Sequence, residues 1–181
     1  QERQQSYSPF ESLFWGDDLA DGFMDENASK RDAVDIEKFL SNHAQEIIQR
    51  AAQIAISQFG RKEVDTEHLL YSLLESDVIK EIFKQFKISE QDIKGFIEYN
   101  APKQNYTNAK ELSITPRLKN VLELAFQAAK ELGHGYIGPE HLLIALAEEK
   151  DGIAGELLRK YSLTSEAIRQ KVVKVVGKGA E

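Results

Sequence analysis

The chain contains no cysteine, which excludes disulfides and thiolate-held metals and fits a reducing, cytoplasmic setting. No apolar run approaches the roughly 20 residues that a bilayer-spanning helix needs. The opening QERQQSYSPF is polar throughout and carries no signal-peptide core. It also starts without Met, as a processed product or an excised piece of a longer protein does. Positive charge is outnumbered: 23 Lys and Arg stand against 30 Asp and Glu, the formal net charge is −7, and no run of Lys and Arg occurs. That excludes the basic footprint of a nucleic-acid binder. There is no His-Glu-x-x-His string and no His cluster at ligand spacing, so no metal or cofactor is expected. No Ser, Thr or Lys stands in a nucleophile motif, so no catalytic residue is assigned. Alternating strand patterns and hairpin turns are missing too, and no β-structure is expected.

What is present is helical periodicity on 181 residues, 41% of them hydrophobic, enough for a buried core. Residues 1–34 stand apart. They mix acidic residues with Tyr7, Phe10, Phe14, Trp15 and Phe23 and hold no period. They read as a flexible tail or as a docking segment. In the second case Phe10, Leu13 and Phe14 fall at i, i+3 and i+4, one face of a short helix.

From residue 35 onward the chain repeats itself. GRKEVDTEHLLYSLLES, from Gly60, matches GHGYIGPEHLLIALAEE, from Gly133. His68 and His141 set an offset of 73 positions, and carrying it upstream lays Ile48 on Val121 and Ala52 on Ala125. Beyond Asp151 and Gly152 the offset becomes 75, with Ile88 on Leu163. Each copy reads as four helices. In the second copy Thr115 is an N-cap with Pro116 at the first helical position. Gly133 and Gly135 end that helix, and further helices start at Pro139, near Gly152 and at Thr164. The fold expected is all-α: two pseudo-symmetric four-helix repeats packed as one globular domain. The boundaries are residues 35–100 and 114–177, with a polar linker at 101–113 and a tail at 178–181.

The string from Thr115 to Val173, with its Thr-Pro-Arg start, Leu-Gly-His turn, Gly-x-Glu-His-Leu-Leu helix and Asp-Gly-Ile-Ala step, resembles the second repeat of the Clp N-terminal domain, nearest the ClpC type. The resemblance covers about residues 36–177, more strongly in the second repeat. It implies a domain carried on an ATP-driven hexameric unfoldase, one that binds protein substrates and adaptors and passes them to the motor. No G-x-x-x-x-G-K-[ST] phosphate loop occurs in the chain, so the motor would lie elsewhere in a parent protein. The alternative is a free-standing double-repeat protein regulating a Clp complex in trans.

The resemblance also implies a binding site. ClpC-type domains bind phosphoarginine, and the positions equivalent to their glutamates are Glu67 and Glu140. A carboxylate takes a guanidinium through two charge-assisted hydrogen bonds. The phosphate would lie on helix N-termini, with Thr66 and Thr115 offering hydroxyls. Two departures weaken the match: Asn42 falls opposite Thr115, and Pro139 stands where the family has Thr and removes an N–H. His68 and His141 read as structural histidines, and His134 as a capping or surface residue.

Overall fold

The computed structural model describes residues 36–177, so the expectations for residues 1–34 and 178–181 lie outside the described residues. After a helical turn at 36–39, the first half holds α1 (Asn42–Phe59), α2 (Thr66–Leu73), α3 (Asp77–Gln85) and α4 (Glu90–Asn100). The second half holds α5 (Pro116–Glu131), α6 (Pro139–Glu148), α7 (Ile153–Lys160) and α8 (Ser165–Val175). The architecture is all-α. No described helix is long and apolar enough to cross a membrane.

The helices start where the sequence places caps. Ser41, Thr115 and Thr164 each accept the backbone N–H three residues on, which satisfies one of the orphan donors of a first turn. At the end of α1, Gly60 has φ +58°, and a Cβ there would lie 1.7 Å from the Gln104 carbonyl oxygen. Only glycine permits that approach. It lets the 101–113 segment run along the helix end, with Gln104 N–H donating to Phe59 and Tyr106 N–H donating to Gly60.

The two halves are intertwined rather than stacked. The third helix of each half packs on the other half: α7 lies against α2 and α4, and α3 lies against α6 and α8. One continuous apolar core results, running from Ile36 and Leu40 through Leu69, Leu73 and Phe83 to Leu142, Leu146 and Val172. Burying an apolar side chain of that size stabilises by about 1.5–3 kcal/mol, and residues of both halves contribute to the one cluster.

Two expectations need correction. The first concerns strands. β1 (Glu63–Val64) pairs in parallel with β2 (Ser113–Ile114), and Leu40 bridges Ile137. Pairings this short leave no alternation to read in the sequence. The second concerns register in the first helix of each repeat. Ser41, not Asn42, is the counterpart of Thr115. Buried Ala44, Ile47, Ile48, Ala51, Ile54 and Ala55 then match buried Leu118, Val121, Leu122, Ala125, Ala128 and Ala129 at an offset of 74. Ala51 rather than Ala52 therefore matches Ala125. The extra residue sits in the last turn of α1. Arg61 N–H reaches back six residues to Ala55 O, whereas His134 N–H reaches back five to Ala129 O.

Candidate functional site

The short parallel pairings position everything that follows. Thr115 N–H donates to Val64 O at 3.1 Å, and Ser41 N–H donates to Ile137 O at 3.0 Å. The segment entering the first helix of one repeat thus lies beside the segment entering the second helix of the other. Two composite sites arise. One joins the N-termini of α2 and α5; the other joins those of α6 and α1. Thr66, Glu67 and Thr115 gather in the first. Glu140 belongs to the second, with Ser41 and His43.

In the first site Asp65 is the N-cap of α2. Its Oδ1 accepts from Thr66 N–H at 2.7 Å and from the Thr115 hydroxyl at 3.1 Å. Its Oδ2 takes Arg117 Nη1 at 3.1 Å, and Arg117 Nε stands 3.9 Å from Glu149. Glu67 is 3% exposed. Burial first, and then the Asp65 charge, raise its pKa to about 7, against the opposing pull of its backbone hydrogen bond, Arg117 and Arg61. Asp65 N–H donates to His68 Nδ1 at 2.9 Å, so the neutral ring carries its proton on Nε2. Burial lowers the His68 pKa to about 4 and keeps it neutral.

This site has unmet hydrogen-bonding capacity. Arg61 Nε, Thr66 Oγ1, Glu67 Oε2 and His68 Nε2 are buried without a protein partner; among the described residues only Ser76 Oγ shares that condition. Buried polar groups are nearly always paired. These four atoms belong to residues 61–68, at and just before the start of α2, where a water or a polar ligand can pair with them.

The second site resolves the same chemistry internally. Gly138 N–H donates to His141 Nδ1 at 2.8 Å, which puts the His141 proton on Nε2. Nε2–H then donates to His134 Nδ1 at 2.6 Å, and His134 Nε2–H donates to Gly177 O at 2.9 Å. Burial, with the neighbouring His134, lowers the His141 pKa to about 4. Glu140, also 3% exposed, has its pKa raised by burial, while its backbone bond, His134, His43 and the Tyr136 hydrogen bond pull the other way. Its carboxylate lies back over Gly138, where a Cβ would sit 2.6 Å from Oε1. His134, Glu140 and His141 place potential ligand atoms within 4.8 Å of one another. Yet His141 Nδ1 already receives an N–H, so a metal on Nε2 would require an imidazolate. The pair is a hydrogen-bond relay. His134 is accordingly half-buried and internal to the site, not the capping or surface residue expected.

The sequence reading named Thr66, Glu67, Thr115 and Glu140 but missed Asp65, Arg117, Arg61, Ser41 and Tyr136. Asp65 and Ser41 were legible in principle as residues immediately preceding helix starts. Arg117 was not, because its partner is 52 residues away and only the cross-repeat pairing brings them together.

The sequence profile of the Clp repeat N-terminal domain matches residues 39–161 and 113–181. An ATP-dependent Clp protease ATP-binding subunit ClpA homolog of Porphyra purpurea is 33% identical over 132 residues, which is 72% of this chain and 16% of that protein. The chloroplastic chaperone protein ClpC2 of Oryza sativa subsp. japonica is also 33% identical over 132 residues, 72% of this chain and 14% of that one. The chain therefore spans about one-sixth of the length of these relatives. Among solved structures, a ClpV N-domain in complex with a VipB peptide superposes with a TM-score of 0.64 at 18% identity, over 82% of this chain and 93% of that one. It shares the fold.

Proposed function

Because the chain belongs to the Clp repeat N-terminal domain family, a non-catalytic recognition domain found in the N-terminal parts of Clp-type ATPases, we propose that it receives protein substrates or adaptors for a Clp-type ATP-dependent unfoldase. The motor would be a hexameric ATPase borne on the same parent protein, in the cytoplasm. Residues 35–100 and 114–177 would be the two repeats, and a protein segment would be the ligand. The peptide carried by the related ClpV N-domain supports that last point.

The observation that carries the reading is the cluster of unpartnered buried groups at the start of α2. Glu67 offers an acceptor, while Arg61, Thr66 and His68 offer donors. Arg117 and the N-termini of α2 and α5 add positive potential. A ligand with a cationic donor fork next to an anion satisfies both halves at once. Phosphoarginine on a protein has that pattern: guanidinium toward Glu67, phosphoryl toward Arg61 and Thr66, while the Thr115 hydroxyl stays on Asp65. The second site, where Glu140 already has Tyr136 and His141 already has His134, offers less.

Calorimetry with a phosphoarginine peptide and its plain arginine twin tests this. The phosphorylated peptide is expected to bind more tightly, with one site dominant. Glu67→Gln is expected to weaken it about tenfold or more, since charge-assisted hydrogen bonds contribute about 1.5–3 kcal/mol, and Glu140→Gln much less. Equal binding of the two peptides sinks the phosphoarginine reading. Binding of an adaptor protein with neither peptide bound would move recognition to another surface.

A further inference from the structure

Beside the second site runs an apolar groove of about 220 Å³. The Phe39 and Phe126 rings form one wall, with centroids 5.1 Å apart. His134 and Tyr136, stacked at 5.8 Å, form the other. Ala129 and Ile137 also line it. Phe39 is 41% and Tyr136 42% exposed, so two of the four exposed large hydrophobics among the described residues border this one groove. Lys130 adds a cation at its rim, with Nζ 4.9 Å from the Phe126 centroid. Lys130 covers part of Phe126, but Phe39 and Tyr136 remain open to solvent, and covering aromatic surface is stabilising.

We propose that residues 9–15 of the same chain occupy the groove, with Phe10, Leu13 and Phe14 against Phe39, Phe126 and Tyr136. Three observations select this occupant. The first is reach: Phe39 is three residues beyond Ile36, where the described chain begins. The 20 residues between Trp15 and Ile36 can span up to about 66 Å when extended, so the tether does not limit docking. A tether of this kind presents the segment at roughly millimolar effective concentration. The second is pattern: SPFESLFW places three apolar side chains on one helical face, the mode by which short helices fill apolar grooves. The third is charge: Glu11, Asp17 and Asp18 flank those residues and complement Lys130.

Trp15 is the only tryptophan, so tryptophan emission, excited to the red of tyrosine absorption, reports on the tail alone. In the wild type, Trp15 emission is expected to be blue-shifted, and acrylamide quenching weaker, than in a free peptide of residues 6–20. Phe10→Ser/Phe14→Ser and Phe39→Ser should each move both readings to the peptide's values with helical circular dichroism unchanged. Lys130→Glu, an exposed change that leaves the core intact, should move them part of the way. The wild-type readings should not change over a hundredfold range of protein concentration. Peptide-like emission in the wild type overturns the proposal, as does emission indifferent to both Phe39→Ser and Lys130→Glu. A shift that grows with concentration assigns the groove to the tail of a second copy and overturns docking within one chain.

Discussion

Arg117, two residues into the first helix of the second repeat, holds its guanidinium 3.1 Å from the carboxylate of Asp65, which caps the second helix of the first repeat. Asp65 also accepts from Thr66 N–H and from Thr115, so one carboxylate caps α2 and joins the repeats. Asp65→Ala should cost about 1–2 kcal/mol, the upper range for losing an N-cap. Asp65→Asn, which keeps an acceptor but loses the charge, should cost less. Urea denaturation of both variants checks the order. Equal losses would mean that the charge on Asp65 carries the whole effect.

Glu67 gives stability a pH dependence of unusual sign. Its pKa is raised from the ordinary carboxylate value to about 7. Between those two values the folded protein holds a proton that the unfolded chain releases. This contribution therefore weakens the fold as pH rises from about 4.5 through 7. At 3% exposure the penalty well above pH 7 is on the order of 3 kcal/mol. Glu67→Gln removes it, so the variant should gain on the wild type steadily from pH 5 to pH 8. His68 and His141, both lowered to about 4, act oppositely by adding stability as pH rises from 4 to 6.5. The difference between variant and wild type isolates the glutamate. A flat difference would show Glu67 to be ionised in the fold at all these pH values.

The periodicity of Leu118, Val121, Leu122 and Ala125 made α5 legible, and Thr115 and Thr164 marked the starts of α5 and α8 because capping is a local event. The Glu-His-Leu-Leu match made the repeat legible. What sequence did not yield depends on contacts between distant segments. The Leu40–Ile137 bridge and the two-residue β1–β2 pairing are too short to carry a pattern of their own. The one-residue slip in α1 hides in a helix end where Phe59, Gly60 and Arg61 look like Leu132, Gly133 and His134. The difference between the two glutamates was the least legible of all. Both sit in the string Glu-His-Leu-Leu, and their surroundings are separated by the residues just before it: Arg61, Glu63, Asp65 and Thr66 in one repeat, His134, Tyr136, Gly138 and Pro139 in the other.

His134 supplies the acceptor for His141 Nε2–H. His134→Ala leaves that donor buried and unpaired, a loss of about 1–3 kcal/mol, and frees Gly177 from its bond. His134→Asn can place its amide oxygen near the lost Nδ1 and should restore part of the stability. The checks are guanidinium unfolding at pH 7.5 and amide hydrogen exchange at Gly177. An alanine variant as stable as the wild type would show that water replaces the imidazole without loss.

The carboxylate of Glu140 occupies space that only glycine at 138 leaves open: a Cβ there would lie 2.6 and 2.7 Å from its two oxygens. The first repeat has no such arrangement, because Asp65 fills that position with its own side chain and caps α2 directly. Gly138 has φ −104°, so alanine meets no backbone strain and the substitution tests the contact alone. Gly138→Ala should push the Glu140 carboxylate off its place, weaken its bond to Tyr136, and cost about 1–3 kcal/mol, the usual range for overpacking. In the Gly138→Ala/Glu140→Ala double variant the clash is gone. The second alanine should then cost little or nothing beyond Glu140→Ala alone, a coupling of at least about 0.5 kcal/mol. Thermal unfolding of the four proteins in this cycle measures it. Strict additivity would mean that Glu140 is not held over Gly138. The two repeats would then present their glutamates alike, and the single dominant peptide site expected from Glu67 should become two.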